Sequence, residues 1–112
     1  MKIAVNTKIK NILTGSFAIY ERNGKKSDLQ LKDMAAEALC GVYPDEQHLG
    51  GREKADRFDL ACRIVSANKD VEMSVEEVAK LKDLIGKAYA PHYVGPAWQI
   101  LDTPIISKEK KD

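Results

Sequence analysis

Met73-Ser74-Val75-Glu76-Glu77-Val78 is the stretch of sequence that decides the fold. The Ser74 hydroxyl can accept a hydrogen bond from the backbone N–H of Glu77, and the Glu77 carboxylate can accept one from the N–H of Ser74, which makes a capping box. Met73 and Val78 stand where a hydrophobic staple closes the first turn. The stretch therefore predicts that a helix begins at Ser74, and it sets the register of the residues after it.

Two helices are predicted after this start. The first spans about residues 74–89, with apolar side chains at helical spacing. Its inward positions are Val75, Val78, Leu81, Leu84, Ile85 and Ala88. Pro91 disfavours helical geometry at Ala90 and so ends this helix. The second spans about residues 94–102, with Pro96 in its first turn, and its apolar positions are Val94, Ala97, Trp98 and Leu101.

Two further amphipathic segments precede Ser74, at about residues 32–40 and 52–67. Each has an apolar stripe on one side and charged residues on the other, which is typical of a helix packed on a core. The earlier stripe consists of Met34, Ala35, Ala38 and Leu39. The later stripe consists of Phe58, Ala61, Cys62 and Val65, widened by Ala55 and Ile64, and Arg57 is assigned to the solvent side.

Asn23-Gly24 lies within residues 17–31, between two short runs with strand character, and predicts a β-hairpin. A two-residue loop would mix apolar and polar side chains on one face. A three-residue loop, Arg22-Asn23-Gly24, pairs Phe17 with Leu29 and keeps one face apolar, so this register is predicted. The whole pattern predicts an α+β fold, an N-terminal β-hairpin packed on a bundle of about four short helices, with one domain over residues 1–106 and a charged tail at 107–112.

The composition is that of an ordinary soluble globular domain. Its 112 residues carry a net charge of +1, with 44% apolar and 31% charged residues. No apolar run is long enough for a membrane span, so no membrane partner is expected. The N-terminal residues contain no apolar signal-peptide core, which predicts a cytoplasmic protein. Cys40 and Cys62 are isolated in the sequence, and no disulfide between them is expected.

No group of residues predicts catalysis. Zinc sites announce themselves through short Cys or His spacings, and the sequence has none. Cys62 falls on the inward stripe and is interpreted as an inert core thiol, while Cys40 falls at a helix C-terminus, where the dipole does not favour a thiolate. Gly50-Gly51 matches no nucleotide-binding fingerprint. The chain is therefore predicted to be no enzyme and to use no metal or cofactor.

Protein binding is predicted near the Pro91 break. Tyr89, His92 and Tyr93 flank it, and partly exposed aromatic residues of this kind are typical of interface hot spots. They are interpreted as a surface for a protein partner or for self-association into a homo-oligomer. Trp98, in contrast, is predicted to be a core anchor, buried against Leu81, Ile85 or both.

The alternative is a small nucleic-acid-associated protein that uses the basic N-terminal segment. Residues 1–27 contain six basic side chains and one acidic side chain, and Arg22, Lys25 and Lys26 lie at the hairpin tip. The net charge of +1 is lower than a dedicated nucleic-acid binder carries, so protein binding is preferred.

The order of the motifs adds a resemblance. The stretch L-x-L-K-D-x-x-x-x-A-L (Leu29 to Leu39) is followed by E-K-x-x-R-x-x-L-A-x-x-I (Glu53 to Ile64) and by S-x-E-E-x-x-x-L-K-x-L-I-G-K-x-Y-x-P-x-x-V-G-x-A-W (Ser74 to Trp98). Together with the Asn23-Gly24 turn, this order resembles the small proteins of tailed bacteriophages and prophages. The resemblance implies a virion accessory protein or a host-takeover factor in the host cytoplasm, and it carries over no site residues.

Overall fold

Four helices dominate the computed structural model, which describes residues 1–105 and, for Arg22, the backbone alone. They are α1 (Leu31–Leu39), α2 (Gly51–Ser66), α3 (Val75–Ala88) and α4 (Pro91–Leu101). Helix α1 lies against both α2 and α3, and α4 packs on α3. With the short antiparallel strand pairs, these helices make an α+β fold, as predicted. The predicted tail at 107–112 lies outside the described residues.

The predicted start of α3 is confirmed. The backbone N–H of Glu77 donates to Ser74 Oγ at 3.1 Å, and the N–H of Ser74 donates to Glu77 Oε1 at 2.9 Å. Met73 and Val78 are both buried, as the staple requires. Local chemistry therefore fixes where α3 begins, before any packing is considered.

The inward face of α3 is confirmed in its middle and wrong at its ends. Its buried residues are Val78, Leu81, Leu84 and Ile85. Val75 and Ala88 were also predicted to point inward, but they are the first and last residues of the helix and are exposed.

Within residues 1–105, six short strands form three antiparallel pairs. Strands β1 (Lys2–Ile3) and β6 (Val71–Glu72) pair across most of the chain, β2 (Lys10–Asn11) pairs with β3 (Ser16–Phe17), and β4 (Ile19–Arg22) pairs with β5 (Lys25–Asp28). The β1–β6 pair places the start of the chain beside the segment that leads into α3. It was not predicted, because strands of two residues carry no periodicity that a sequence pattern can show.

Three backbone segments meet at Ile9, Ala18 and Leu29, which we call the three-segment junction. The N–H of Ile9 donates to the carbonyl of Leu29 at 2.9 Å, that of Leu29 to Ala18 at 2.8 Å, and that of Ala18 to Ile9 at 2.8 Å. The hydrogen bonds therefore form a closed ring, in which each residue donates once and accepts once. All three side chains are buried in the core. The β2–β3 and β4–β5 hairpins extend outward from this junction.

The register predicted for the Asn23-Gly24 hairpin is wrong. The loop has two residues, and Ile19 stands opposite Asp28. Asn23 and Gly24 have φ angles of 53° and 79°, and two positive values are what a type I′ turn requires. Phe17 belongs to the other hairpin, where it pairs with Lys10. Since Phe17 and Ile19 are both exposed, no buried apolar face exists to select the longer loop.

The inward face predicted for α2 is rotated from the observed one. Phe58, Cys62 and Val65 were assigned to the core, but all three are exposed. Arg57 was assigned to solvent, but its side chain is buried. The buried residues of the helix are Arg57, Leu60, Ala61 and Ile64. Ala61 and Ile64 are buried as predicted, so the ordinary rule that places charge outside and aromatic carbon inside fails at Arg57 and Phe58.

The start of α4 also differs from the prediction. The helix begins at Pro91, which occupies its first turn, and Ala90 is the N-cap with extended geometry, φ −76° and ψ 162°. Pro91 thus both ends α3 and opens α4, since a proline at N1 removes no hydrogen bond. Pro96, which was expected in the first turn, lies inside the helix.

Trp98 is not the buried anchor that the sequence predicts, because 37% of it remains exposed. Its indole N–H donates to the carbonyl of Lys82 at 3.1 Å, and the Lys82 ammonium stands 4.6 Å from the ring centroid. The indole therefore lies across the outside of α3. Leu81 and Ile85 are buried, but the tryptophan covers the helix beside them instead of filling the core.

No helix within residues 1–105 is long and apolar enough to cross a membrane.

Candidate functional site

A buried arginine organises the surface between α1 and α2. Only 7% of the Arg57 side chain is exposed, and its two terminal nitrogens donate to Glu46 Oε1 and Oε2 at 2.8 and 2.7 Å. A planar guanidinium matches both oxygens of a carboxylate in this way. The hydrogen bonds from Arg57 lower the pKa of the Glu46 carboxyl to about 2. Glu46 closes the 3-10 turn Pro44–Glu46, so the pair fixes this turn to α2.

Lys87 joins the same turn to α3. Its ammonium lies 3.0 Å from Asp45 and 3.3 Å from Glu46, and it stands 5.5 Å from the ring centroid of Tyr43. Hydrogen bonds to these carboxylates raise the pKa of Lys87. The turn at residues 44–46 is therefore held from two sides, by α2 and by α3.

Tyr43 ties the turn to α1. Its hydroxyl donates to the carbonyl of Ala38 at 2.7 Å, and burial raises the pKa of this hydroxyl. The ring passes so close to Gly41 that a Cβ there would stand 2.8 Å from the Tyr43 oxygen. Residue 41 is therefore glycine because a side chain there would collide with Tyr43. Backbone conformation is not the reason, since the φ angle of Gly41 is not positive.

A groove of about 550 Å³ opens beside this anchored turn. Its walls come from the end of α1, from the segment that leads to α2 and from the first half of α2, and they include Cys40, Val42, Tyr43, Leu49, Arg57 and Phe58. Val42 is 97% exposed and Phe58 is 60% exposed. The groove thus has a floor held by ion pairs and a rim that presents apolar carbon to water.

The apolar rim continues along α2. Ala55, Phe58, Cys62 and Val65 are all exposed and succeed one another at intervals of three, four and three residues. Such spacing places them on one side of the helix, where they form a seam of the kind that receives another helix or an apolar loop. We call the groove and this seam together the α2 surface. Helix α2 therefore has two apolar sides, and the side that holds Ala55, Phe58, Cys62 and Val65 is exposed.

A second cleft, of about 370 Å³, separates α2 from α3 and is lined mainly by charged side chains. Within it, Arg63 contacts Glu77 at 2.5 Å, Lys80 contacts Glu53, and Glu53 lies 3.9 Å from Arg57 Nε. Its lining has five acidic side chains against three basic ones, so the ion pairs leave an acidic excess in the cleft. The ion pairs in this cleft connect α2 to α3. The cleft offers a ligand less apolar surface than the groove beside the Pro44–Glu46 turn does.

The predicted partner residues are brought together. The rings of Tyr89 and Tyr93 stand 5.9 Å apart, and those of His92 and Tyr93 stand 4.5 Å apart. All three side chains are half-buried, both tyrosines pack against the core, and burial raises the pKa of Tyr89. Much of the surface of these three side chains is therefore buried within the domain. Their role in binding a protein partner stays a prediction.

The residues of the nucleic-acid alternative lie at the end of the β4–β5 hairpin. Arg22 pairs with Lys25, and Lys26 pairs with Glu21. Lys25 and Lys26 are exposed. An acidic residue directly opposite Lys26 weakens the local positive field.

The cysteines and histidines do not converge on a metal site. Within residues 1–105, no group of three His, Cys, Asp or Glu side chains is placed to hold a metal ion. The interpretation of Cys62 as a core thiol is wrong, because Cys62 and Cys40 are both exposed. The rotation of α2 explains this, since it places Cys62 on the outward seam.

The sequence interpretation placed Phe58 in the core and so missed it as a surface residue. One signal was present. Leu60 lies beside Ala61 and Ile64 on the side away from Phe58, and a helix that is apolar around more than half its circumference has a second face to cover.

Comparisons of the chain with protein-family models, with curated proteins and with solved structures found no match.

Proposed function

We propose that this chain is a non-enzymatic protein-binding factor, of the kind that bacteriophages encode, and that its partner docks on the α2 surface. The partner is a host protein if the chain acts in host takeover, and another virion protein if the chain is an accessory component. In both cases the chain acts by occupying a surface of its partner protein.

One observation carries this proposal. Val42 and Phe58 are 97% and 60% exposed, and both line the groove that the buried Arg57–Glu46 pair also lines. Exposing apolar side chains has a free-energy cost that a bound partner removes, at roughly 25 cal/mol per Å² of apolar area. Contiguous apolar surface rimmed by polar groups is typical of interaction sites.

The rigidity of the floor supports the same conclusion. Ion pairs and hydrogen bonds hold the turn at Pro44–Glu46 to α1, α2 and α3. A surface that is already ordered loses little conformational entropy on binding. Phe58, at the point where groove and seam meet, is the residue we expect to contribute most, since interface energy concentrates in central aromatic anchors.

Affinity capture from a bacterial lysate tests the proposal with matched variants. The bait is the whole chain, and the lysate is used with and without nuclease. Phe58→Glu should abolish capture of the partner, because it places a charge at the centre of the apolar surface. Val75→Glu is the control, since Val75 is 67% exposed on another helix and lies outside the α2 surface. The proposed site is wrong if both variants capture equally well.

The nuclease arm separates this function from the nucleic-acid alternative. Capture that survives nuclease and moderate salt indicates a protein contact. Capture that is lost with nuclease, and that weakens steeply as salt rises, indicates phosphate contacts instead. In that case Lys25→Gln and Lys26→Gln should reduce it, and Phe58→Glu should not.

A further inference from the structure

A second group of exposed apolar side chains lies outside the α2 surface, on the β2–β3 hairpin and at the start of β4. Ile12 and Leu13, at its tip, are 73% and 72% exposed, and Phe17 and Ile19 beside it are 48% and 60% exposed. Two adjacent aliphatic side chains at the apex of a turn are unusual, because turn positions ordinarily favour Gly, Asn, Asp, Pro and Ser. Turn formation therefore does not explain why the tip, residues 12–15, begins with two aliphatic residues.

The backbone of the tip makes its own hydrogen bonds. Asn11 Oδ1 accepts from the N–H of Leu13 at 2.9 Å, and the Asn11 carbonyl accepts from Thr14 and Gly15 at 3.3 and 2.8 Å. The N–H of Ser16 donates to the Thr14 hydroxyl at 3.3 Å. Four consecutive amides, residues 13–16, thus have partners within the hairpin. These bonds lower the penalty for taking the turn partly out of water, although the amide of Ile12 is not among the four.

The base of the hairpin is fixed. Ile9 and Ala18, which bracket it, belong to the buried three-segment junction. The tip therefore projects from a rigid point on the core.

Basic side chains stand behind the apolar tip. Lys10 is exposed and lies directly opposite Phe17 in the hairpin, and the Lys8 ammonium stands 5.6 Å from the Phe17 ring centroid. Lys8 also pairs with Asp28 at 3.1 Å, so Lys10 is the stronger attraction for an anion. Of the six basic side chains in residues 1–27, Lys8 and Lys10 belong to this hairpin and its base, and the other four lie on β1 or on the β4–β5 hairpin.

We propose that the tip of the β2–β3 hairpin docks on the surface of an anionic lipid bilayer. Ile12 and Leu13 enter the boundary between headgroups and acyl chains, while Lys10 and Lys8 remain at the level of the lipid phosphates. This contact needs no membrane-spanning helix. It is independent of the partner bound by the α2 surface, and it would concentrate that partner or its complex at the membrane.

Two features favour a bilayer over a pocket on a protein. The apolar residues crown a projecting turn, and a bilayer accepts a projecting tip without requiring a matching cavity. The sequence of apolar apex and basic shoulder also matches the order of acyl chains and phosphates that an anionic leaflet presents.

Vesicle co-sedimentation tests the proposal with the whole chain. The probes are vesicles of phosphatidylcholine alone and vesicles in which about one third of the lipid is phosphatidylglycerol. We expect binding to the anionic vesicles at low salt, and weaker binding when the ionic strength rises enough to screen surface charge, to about 0.3 M. Ile12→Asn and Leu13→Asn should each lower the partition coefficient by about tenfold, because each removes one inserted aliphatic side chain.

Val75→Asn is the matched control. It removes an equally exposed aliphatic residue from α3 and should leave vesicle binding unchanged. Lys10→Gln should weaken binding to anionic vesicles alone. Circular dichroism of every variant verifies the fold, and since Ile12 and Leu13 are exposed, their substitution should not unfold it. The proposal is overturned if the chain does not bind anionic vesicles at low salt, or if Ile12→Asn and Leu13→Asn bind as well as Val75→Asn.

Discussion

Arg57 and Glu46, eleven residues apart in the chain, are joined by two nearly parallel hydrogen bonds of 2.8 and 2.7 Å. This single contact connects the turn before α2 to the inner side of α2. It explains why a charged residue faces the core of this helix, and it determines which of its apolar residues are left outside.

The first prediction concerns the loss of Glu46. Glu46→Gln removes the charge that compensates a buried guanidinium, and breaking a buried pair in this way costs about 3 kcal/mol. Urea titration should show this fall in the free energy of unfolding. Arg52→Gln is the control, because Arg52 is 91% exposed and its contact with Asp56 is 3.8 Å long. Its effect should be below about 0.5 kcal/mol. A loss below about 1 kcal/mol for Glu46→Gln would show that the pair is exposed in solution.

The second prediction concerns pH. The folded pKa of Glu46 is about 2, below its ordinary value of 4.5, so the unfolded chain binds the proton more readily. The contribution of Glu46 is therefore complete above about pH 4.5 and is lost as the pH falls towards about 2. The urea midpoint should fall across this window. Glu46→Gln should flatten that slope, leaving the smaller contributions of Glu53 and Glu72, whose pKa values are also lowered. Equal slopes for both proteins would contradict the assignment.

The third prediction concerns Gly41. A Cβ at this residue would approach the Tyr43 oxygen to 2.8 Å, and the ring cannot withdraw freely because its hydroxyl is bonded to Ala38. Gly41→Ala should therefore destabilise the fold by about 1–3 kcal/mol through overpacking. A Cβ at Gly51 would meet nothing within 4 Å, so Gly51→Ala is a control that should be neutral or slightly stabilising. Equal effects of the two substitutions would show that Tyr43 does not occupy this position.

The fourth prediction concerns Trp98. Trp98→Phe keeps an aromatic ring over α3 but removes the indole N–H that donates to Lys82. The loss should be about 0.5–1.5 kcal/mol, the ordinary contribution of one hydrogen bond. As the single tryptophan of the chain, Trp98 also reports its own exposure through quenching of fluorescence by acrylamide. A loss above about 3 kcal/mol with no quenching would restore Trp98 as a core anchor.

The parts of the fold that the sequence predicts are those decided by neighbouring residues. The capping box between Ser74 and Glu77 acts within one turn, and α3 begins where it indicates. Pro91 acts on the residue before it, and α3 ends where it indicates. The α+β class is predicted by the same short-range signals, since the amphipathic segment predicted at about residues 32–40 coincides with α1.

The errors arise where contacts between residues that are distant in the sequence determine the structure. Arg57 is buried because Glu46 meets it across a loop, and no periodicity within α2 can show this. Phe17 was assigned to the Asn23-Gly24 hairpin because it is close in sequence, but it pairs with Lys10 in the other hairpin. The candidate site inherits the first error, since Phe58 becomes a surface residue only when Arg57 turns inward.

The three-segment junction also sets how this fold can change in length. Ile9, Ala18 and Leu29 are fixed by their ring of hydrogen bonds, while the two hairpins between them extend away from the core. Each hairpin can therefore gain or lose residues in pairs, one on each strand, without moving the side chain of Ile9, Ala18 or Leu29 to the opposite face. A single inserted residue would have to be absorbed as a bulge or would turn one strand over. The N-terminal third of the chain can thus accept hairpin loops of different length and chemistry while the sequence of the helical core stays the same.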